Sequence, residues 1–221
     1  GEVKSLSVSL GVPFSENSVE KFYLEYFMEG IKFEADKNDC VISSGHSYQS
    51  LEPGITLTLN GEIESNVTKN SAKVGDLIYL SKPLGTGYLL AAYFNNSEML
   101  SGYDFEKILN NLKKGNFFAA NSARNSGSQT MTDISGFGLS SHLIDICLSS
   151  NLSSELILSP DILINTNIDL LRMFQSTSFE NNHNSSRGYV KISKNHPLKN
   201  ILFDPQTNGP MLIAHIVIGA K

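Results

Sequence analysis

The sequence predicts an α/β fold of the α+β sandwich type, with helices covering a sheet. Apolar residues recur with a period of two in some segments and at helical spacing in others, and the two kinds of segment alternate along the chain. Hydrophobic residues make up 40% of the 221 residues and charged residues 18%, which is the balance of a globular protein. A chain of this length can bury a core large enough to fold without disulfides or metals.

The first part of the chain begins with a strand and a long helix. Residues 5–12 alternate polar and apolar side chains, which predicts a strand with one buried face that ends at Pro13. Asn17, with Glu20 three residues on, has the spacing of a helix cap. The apolar stripe that follows predicts core packing and consists of Val19, Phe22, Tyr23, Tyr26, Phe27 and Gly30.

Two shorter strands and a linker complete this part. Residues 40–43 predict a strand that runs into a turn at 44–47, and residues 55–59 alternate again. The polar stretch 62–74 predicts a linker. We therefore predict one domain over residues 1–66 and a second, α/β domain over residues 67–221.

The second part continues the alternation of strands and helices. Predicted strands cover 76–80, 129–132, 155–158, 189–192 and 211–214, and predicted helices cover 88–94, 105–123, 136–148 and 165–174. Residues 176–187 are polar and are expected to be mobile.

Composition and charge narrow the function. The net charge of -5 argues against a general nucleic-acid surface, which needs a basic face. A local phosphate site remains possible, because backbone N–H groups at turns and helix starts bind phosphates without net positive charge. No apolar run approaches the roughly 18 residues needed to span a membrane, and no secretory signal opens the chain.

The two cysteines indicate the compartment. Cys40 and Cys147 lie beside apolar residues and outside any zinc-type spacing, so we expect two buried, reduced thiols. A reduced pair is typical of a cytosolic protein, and the expected location is cytoplasmic.

The segment Thr132-Asp133-Ile134-Ser135-Gly136-Phe137-Gly138 is the strongest candidate for chemistry. An apolar strand ends in a carboxylate, and two glycines open a helix directly afterwards. Asp133 could hold Mg²⁺, which prefers oxygen ligands and few protein contacts. It could equally cap the helix, and the spacing alone does not decide between these roles.

The segment Ser44-Gly45-His46-Ser47 is a second candidate. Glycine permits close approach of a ligand to the backbone, and His46 could bond a phosphate or a base. A single histidine is more often a structural residue, so this alternative stays open.

Two further glycine-containing segments favour structural roles. Residues 203–209, Phe-Asp-Pro-Gln-Thr-Asn-Gly, have the composition of a turn before a strand. The glycines of residues 74–87 look like a phosphate cradle, but no Gly-Lys-Ser/Thr follows them as a P-loop requires. A strand-to-helix turn is the better interpretation of that segment.

In this order the motifs resemble selenophosphate synthetase (selenide, water dikinase), a family of the aminoimidazole ribonucleotide synthetase-like ATP-binding superfamily. The matching residues are Gly45-His46-Ser47, Glu52-Pro53, Gly75-Asp76, Lys82-Pro83-Leu84-Gly85-Thr86-Gly87, Met131-Thr132-Asp133, Gly136-Phe137-Gly138-Leu139, His142-Leu143 and Asp204-Pro205-Gln206-Thr207. Any one motif is weak, and several in the right order are specific. The Asp-Pro-Gln-Thr run favours this family over its purine, thiamine and hydrogenase-maturation relatives.

The resemblance implies a function and site residues. The family is an ATP-dependent kinase and transferase that uses ATP, selenide, water and magnesium to make selenophosphate. It implies that Asp133 is one of several aspartates that gather Mg²⁺ around the phosphates, and that Ser44, Gly45 and His46 line the nucleotide site. It further implies a homodimer, and it identifies residues 1–66 as a remnant of the N-terminal ATP-binding domain and 67–221 as the C-terminal domain.

The departures from the family shape what we expect of this chain. The family's opening segment, with its reactive Cys or selenocysteine, a nearby Lys and further aspartates, is expected to be missing, so no catalytic residue is assigned and the chain alone is expected to be inactive. Ser44 and Ser141 stand where the family has Gly, and Asn208-Gly209-Pro210 replaces Ser-Gly-Gly. The family has a helix between its last two strands, whereas here residues 211–214 run almost directly into the segment expected to be the last strand, 215–219. The alternative function is a non-catalytic nucleotide-binding or dimerisation domain of a larger fusion protein, for example with a flavin oxidoreductase.

Overall fold

The computed structural model describes residues 2–63 and 67–215. The chain divides into two compact units, residues 1–66 and 67–221, here called unit 1 and unit 2. Each unit mixes helices and strands, which confirms the predicted α/β class. The predicted strand at 215–219 lies almost wholly outside the described residues, as does part of the predicted linker.

Unit 1 is a β-α-β unit with one added strand. Its elements are β1 (Glu2–Pro13), α1 (Asn17–Lys37), β2 (Val41–Ser50) and β3 (Gly54–Glu62). β1 is central, with β2 parallel on one side and β3 antiparallel on the other. The alternating apolar residues of β1 point to α1, so that Leu6, Val8 and Leu10 pack with Ile31 and Ala35 of the helix.

Two local predictions in unit 1 are wrong. Asn17 is the first helical residue and not the cap, because Glu16 occupies the cap position in extended backbone and no side chain caps the helix. The side chain of Glu20 instead accepts a hydrogen bond from Gln49 Nε2 at 2.8 Å. The predicted turn at 44–47 is part of β2, since its backbone continues the parallel ladder with β1.

Unit 2 contains a small antiparallel sheet surrounded by helices. The strands are β4 (Leu77–Leu80), β5 (Thr130–Asp133) and β6 (Met211–His215), in the order β4-β6-β5. The helices are α2 (Thr86–Asn95), α3 (Gly102–Lys113), α4 (Phe117–Asn125), α5 (Gly138–Ser149), α6 (Ile168–Met173) and α7 (Phe179–Ser186). Short 3₁₀ turns occupy Ser97–Met99, Pro160–Ile162 and Lys199–Leu202.

One core joins these elements. Its fully buried side chains come from α2, α3, α6 and β6 and from the turns between them: Leu84, Tyr88, Leu89, Ile108, Ile134, Leu170, Leu171, Leu198, Ile201 and Leu212. Ile134 follows β5 directly, and it anchors the start of the next turn in this core. No helix in the described residues is both long and apolar enough to cross a bilayer.

Four predictions in unit 2 require correction. The predicted helix 105–123 is two helices, because α3 ends at Lys113 and Gly115 lies in the break before α4. Residues 155–158 and 189–192 form no strand, since neither pairs with another strand among the described residues. The polar segment 176–187 is not a mobile loop but contains α7, because Phe179 enters the core and Asn182 and Ser186 are buried.

Candidate functional site

The turn after β5, residues 133–138, is the main candidate site and is called the Asp133 turn below. Asp133 is the last residue of β5, and Gly138 begins α5 with a φ of 74° that favours glycine. A Cβ at Gly138 would stand 3.0 Å from the carbonyl oxygen of Asp204 and 3.1 Å from that of Leu202. Both the conformation and the packing therefore require glycine at this helix start.

The backbone of the Asp133 turn is hydrogen-bonded to the segment that precedes β6. The amide of Ile134 donates to the carbonyl of Pro210 at 2.9 Å. The carbonyl of Ser135 accepts from the amide of Gln206 and from the amide of Gly138, each at 3.0 Å. The turn therefore has a defined shape before any ligand arrives.

Two buried side chains complete this support. His142, on α5, accepts the amide proton of Ser135 at Nε2 over 3.2 Å. Asn182, on α7, donates from Nδ2 to the carbonyls of Gly136 at 2.8 Å and Phe203 at 3.0 Å. The segment between Asp133 and α5 is thus bonded to β6, α5 and α7.

The protonation state of His142 follows from its contacts. Since Nε2 accepts the Ser135 amide, the proton of the neutral ring lies on Nδ1, which is buried without a partner among the described residues. Burial lowers the pKa of His142, and Lys69 acts in the same direction, while Asp133 and Asp145 oppose it. The histidine is therefore suited to accept a hydrogen bond and not to serve as a cation.

The carboxylate of Asp133, in contrast to the backbone of the turn, is not bonded to the rest of the protein that the structure describes. It is exposed, and it makes no hydrogen bond or ion pair within the described residues. The next exposed side chain is Phe137, with 66% of its surface accessible. α5 begins at Gly138 with no acidic residue in its first turn, and no side chain of the described residues accepts a hydrogen bond from the amides of that turn.

This arrangement fits Mg²⁺ in one respect. Magnesium in phosphoryl-transfer sites is held by one or two carboxylates together with substrate phosphates and water. Asp133 supplies one such carboxylate, and the described residues contain no cluster of three or more acidic, His or Cys side chains that could hold a metal by themselves. A metal here would depend on oxygens from a bound phosphate.

The start of α2, which has the look of a phosphate cradle in the sequence, is occupied by the protein itself. Gln206 Oε1 accepts from the amide of Gly85 at 2.9 Å, from the amide of Thr86 at 3.3 Å and from its hydroxyl at 3.3 Å. The Thr86 hydroxyl also accepts from the amide of Thr207 at 2.8 Å. The structural interpretation of this glycine segment is therefore correct.

The carboxyl group of Asp204 lies beside the start of α2. It is buried, its Oδ2 accepts from Gln206 Nε2 at 2.9 Å, and its Oδ1 faces the amides of Gly87 and Tyr88 without a well-aligned hydrogen bond. Burial raises the pKa of Asp204 to about 8, although the hydrogen bond from Gln206 and the nearby amides of Tyr88 and Gly87 oppose the shift. The run Asp204–Thr207 is thus more than a plain turn, since it caps a helix.

The segment Ser44–His46 lies on β2, at the edge of the unit 1 sheet. Ser44 and His46 pair with Ser7 and Ser9 on one face, and the hydroxyl of Ser44 donates to that of Ser7 at 2.7 Å. His46 is exposed and stacks near Tyr48, with ring centroids 6.4 Å apart. Both side chains are available to a ligand that lies along this face.

Gly45 faces the opposite side of the same strand. A Cβ there would stand 3.6 Å from the carbonyl oxygen of Val8, which is an ordinary contact. The packing of unit 1 therefore does not require glycine at this position. Asp133 belongs to unit 2, whereas Ser44, Gly45 and His46 belong to unit 1.

Sequence reasoning missed the roles of His142, Asn182 and Gln206. His142 and Gln206 lie inside the motifs that carry the family resemblance, so a signal for them was present. Asn182 lies in a run of Asn and Ser without periodicity, and nothing in the sequence separates it from its neighbours.

The chain matches no protein-family model. It is similar to curated proteins named selenide, water dikinase, with 32% identity over 177 residues to that of Shewanella sp. (strain MR-7). The protein of Shewanella putrefaciens is 32% identical over 176 residues, and that of Shewanella baltica (strain OS155) is 31% identical over 176. Each match covers 79% of this chain and 49% of the relative, so the chain spans about half the length of the curated relatives it matches.

Solved structures share the fold. Thiamine monophosphate kinase from Aquifex aeolicus superposes with a TM-score of 0.66 at 20% identity and covers 100% of this chain and 68% of its own. The hydrogenase maturation protein HypE superposes with a TM-score of 0.56 at 13% identity, over 97% of this chain and 60% of its own. Over 79% of its length the chain is therefore a sequence relative of the selenide, water dikinases, with the fold of the aminoimidazole ribonucleotide synthetase-like proteins.

Proposed function

We propose that this chain is part of a selenophosphate synthetase-like protein that binds ATP with Mg²⁺ and phosphorylates selenide. The observation that carries the proposal is the Asp133 turn, where a rigidly held backbone presents one free carboxylate beside an uncapped helix start. Support comes from the curated relatives, which are named selenide, water dikinase. Further support comes from a solved HypE, of the same fold, that is described as a complex with ATP.

In this proposal Asp133 is one ligand of Mg²⁺, and the metal neutralises charge on the phosphoryl groups. Phosphoryl transfer depends mainly on positioning and on charge stabilisation, so a carboxylate held at a fixed place suits the chemistry. In the same proposal the start of α5, whose first turn contains no acidic residue, adds backbone amides that attract phosphate oxygens.

We also propose that Ser44, Gly45 and His46 contact the nucleotide and that residues 1–66 are part of an ATP-binding domain. The exposed hydroxyl and imidazole on one face of β2 support this, as does the absence of any steric need for glycine at position 45. A phosphate or ribose that lies along this face could use the Ser44 hydroxyl and the His46 imidazole, and Gly45 between them carries no side chain.

The proposal extends to assembly and location. We propose a cytoplasmic homodimer, on the strength of the family resemblance. Ile55, Leu57 and Leu59 of the edge strand β3 are exposed, which leaves apolar surface for a partner. Cys40 and Cys147 are free thiols, as a reducing compartment favours. Light scattering of the purified chain tests the dimer, and a monomer at micromolar concentration would contradict it.

Calorimetric titration of the chain with MgATP tests the site. We expect Asp133→Asn to weaken MgATP binding about tenfold or more, since a charged metal ligand is lost while the shape is kept. Asp169→Asn is the matched control, because the Asp169 side chain is 77% exposed and lies on α6. Equal binding by the wild type and Asp133→Asn would make Asp133 structural.

An activity assay separates binding from catalysis. We expect the 221-residue chain to bind MgATP but to form no AMP in the presence of selenide, because the Asp133 turn supplies one carboxylate while such sites use several ligands. Selenide-dependent AMP formation would overturn the expectation of inactivity and would strengthen the proposed reaction.

A further inference from the structure

The support behind the Asp133 turn comes from side chains that do not face a ligand. The backbone from Ile134 to Gly138 uses its inward-facing N–H and C=O groups in bonds to Pro210, His142, Gln206 and Asn182. Asp133 is left with its carboxylate free. The backbone that follows this carboxylate is therefore held from behind the turn.

His142 contributes one chemical feature to this support, the lone pair on Nε2. Its other ring nitrogen, Nδ1, is buried without a partner among the described residues, and a buried donor without an acceptor is unfavourable. Packing alone would be served at least as well by an apolar side chain of similar size. What such a side chain cannot do is accept the amide proton of Ser135.

Asn182 contributes the opposite feature, an N–H donor. Its single amide group bonds the carbonyl of Gly136 in the turn and that of Phe203, the residue before Asp204. It thereby connects the Asp133 turn with the run that caps α2. The buried position of Asn182 on α7 excludes direct contact with a ligand at the exposed Asp133 carboxylate.

We propose that His142 and Asn182 are positioning residues for the Asp133 site: His142 accepts the Ser135 amide and Asn182 donates to the Gly136 carbonyl, and together they hold the carboxylate and the start of α5 in the geometry that binds metal–phosphate. This inference rests on the proposed function of the site. It assigns roles to two residues that touch neither substrate nor metal.

Paired variants of His142 test the role of the lone pair. Glutamine can place Oε1 near the position of Nε2 and accept the same proton, whereas leucine fills similar space without an acceptor. We expect His142→Leu to weaken MgATP binding about tenfold, the equivalent of one lost hydrogen bond, and His142→Gln to retain most of the affinity. The titration is run well below the melting temperature of each variant.

A control histidine is available in the same unit. His196 also accepts a backbone amide, that of Leu198 at Nδ1 over 3.2 Å, but it lies before the 3₁₀ turn Lys199–Leu202. His196→Leu should leave MgATP affinity unchanged. Asn182→Ala gives an independent test that does not depend on His142, and it should weaken binding by a similar factor.

Hydrogen exchange of the Ser135 amide separates this inference from the proposed function. We expect faster exchange in His142→Leu and wild-type protection in His142→Gln, whether or not nucleotide binds. If Asp133→Asn weakens binding while His142→Leu and Asn182→Ala bind like the wild type, the positioning role is wrong and the proposed function stands. If Asp133→Asn binds like the wild type, the proposed function fails, and unchanged exchange of Ser135 in His142→Leu would overturn the positioning role as well.

Discussion

Two glycine-containing strand-to-helix turns of unit 2 look alike in sequence and differ in the structure. Gly85-Thr86-Gly87 opens α2, and Gly136-Phe137-Gly138 opens α5. At α2 the first amides are bonded to the side chain of Gln206, and a buried carboxyl stands over the helix start. At α5 no side chain between residues 2–63 or 67–215 accepts from the first amides, and the neighbouring carboxylate of Asp133 is exposed.

The difference shows that glycine at a helix start does not by itself indicate an anion site. A helix start binds phosphate only if its amides are not already bonded within the protein. In the run Asp204–Thr207, the side chain of Gln206 caps the start of α2. The backbone amide of the same Gln206 donates to the carbonyl of Ser135 in the Asp133 turn. One segment thus closes the first turn and shapes the second.

The largest expected effect comes from Gly87→Ala, which forces the start of α2 away from the run Asp204–Thr207. A Cβ at Gly87 would stand 2.3 Å from the carbonyl oxygen of Pro205 and 2.5 Å from Asp204 Oδ1. We expect a loss of about 3 kcal/mol in unfolding free energy, measured by urea denaturation. Gly102→Ala is the control, because nothing lies within 4 Å of its Cβ position, and it should leave stability unchanged or slightly raised. Wild-type stability in Gly87→Ala would show that α2 is not packed on this run.

The next largest effect is expected from Gln206→Leu, which removes the cap of α2 and keeps its volume. The amides of Gly85 and Thr86 would then be buried without an acceptor, which costs about 1–3 kcal/mol. Calorimetric unfolding measures the loss. Gln129→Leu is the control, since that side chain makes no hydrogen bond in the described residues. A loss confined to a few tenths of a kcal/mol would mean that water replaces the cap.

A pH-dependent effect, with a modest size for each pH unit, is expected from Asp204. Because its pKa is raised to about 8 in the folded protein, folding holds a proton there that the unfolded chain releases near pH 4. This contribution to stability is complete below pH 4 and is lost as pH rises towards 8, by at most about 1.4 kcal/mol per pH unit. Asp204→Asn should remove that slope, which urea midpoints from pH 5 to 9 measure. The same slope in both proteins would show that Asp204 is ionised throughout.

The smallest effect is expected at the open turn. Phe137 is 66% exposed, so Phe137→Ala should change the unfolding free energy by no more than about 0.5 kcal/mol. Thermal unfolding measures it. A loss of several kcal/mol would show that Phe137 is covered in solution and that the start of α5 is not open.

The parts of the fold that the sequence predicted are those with strong periodicity. β1, β6 and the strand-to-helix passage through Asp133 follow directly from alternation and helical spacing. The resemblance to selenophosphate synthetase is confirmed for 79% of the chain. Ser44, Gly45, His46 and Asp133 remain predicted site residues.

The errors came where distant contacts decide local structure. Ser44-Gly45-His46-Ser47 has the composition of a turn, but pairing with β1 keeps it extended. Asn182 lies in a segment too polar to predict as ordered, and its order comes from carbonyls of residues 136 and 203. No local pattern contains that information.

Nitrogen-15 NMR of the chain titrated with MgATP tests the difference between the two turns most directly. The amides of Gly136, Phe137 and Leu139, which have no acceptor among the described residues, should shift on binding together with their neighbours, whereas amides already bonded to Gln206 should not. We predict the largest shift changes at residues 135–139, with little change at 85–88. Changes centred on 85–88, with none at 135–139, would contradict the assignment of the site to Asp133.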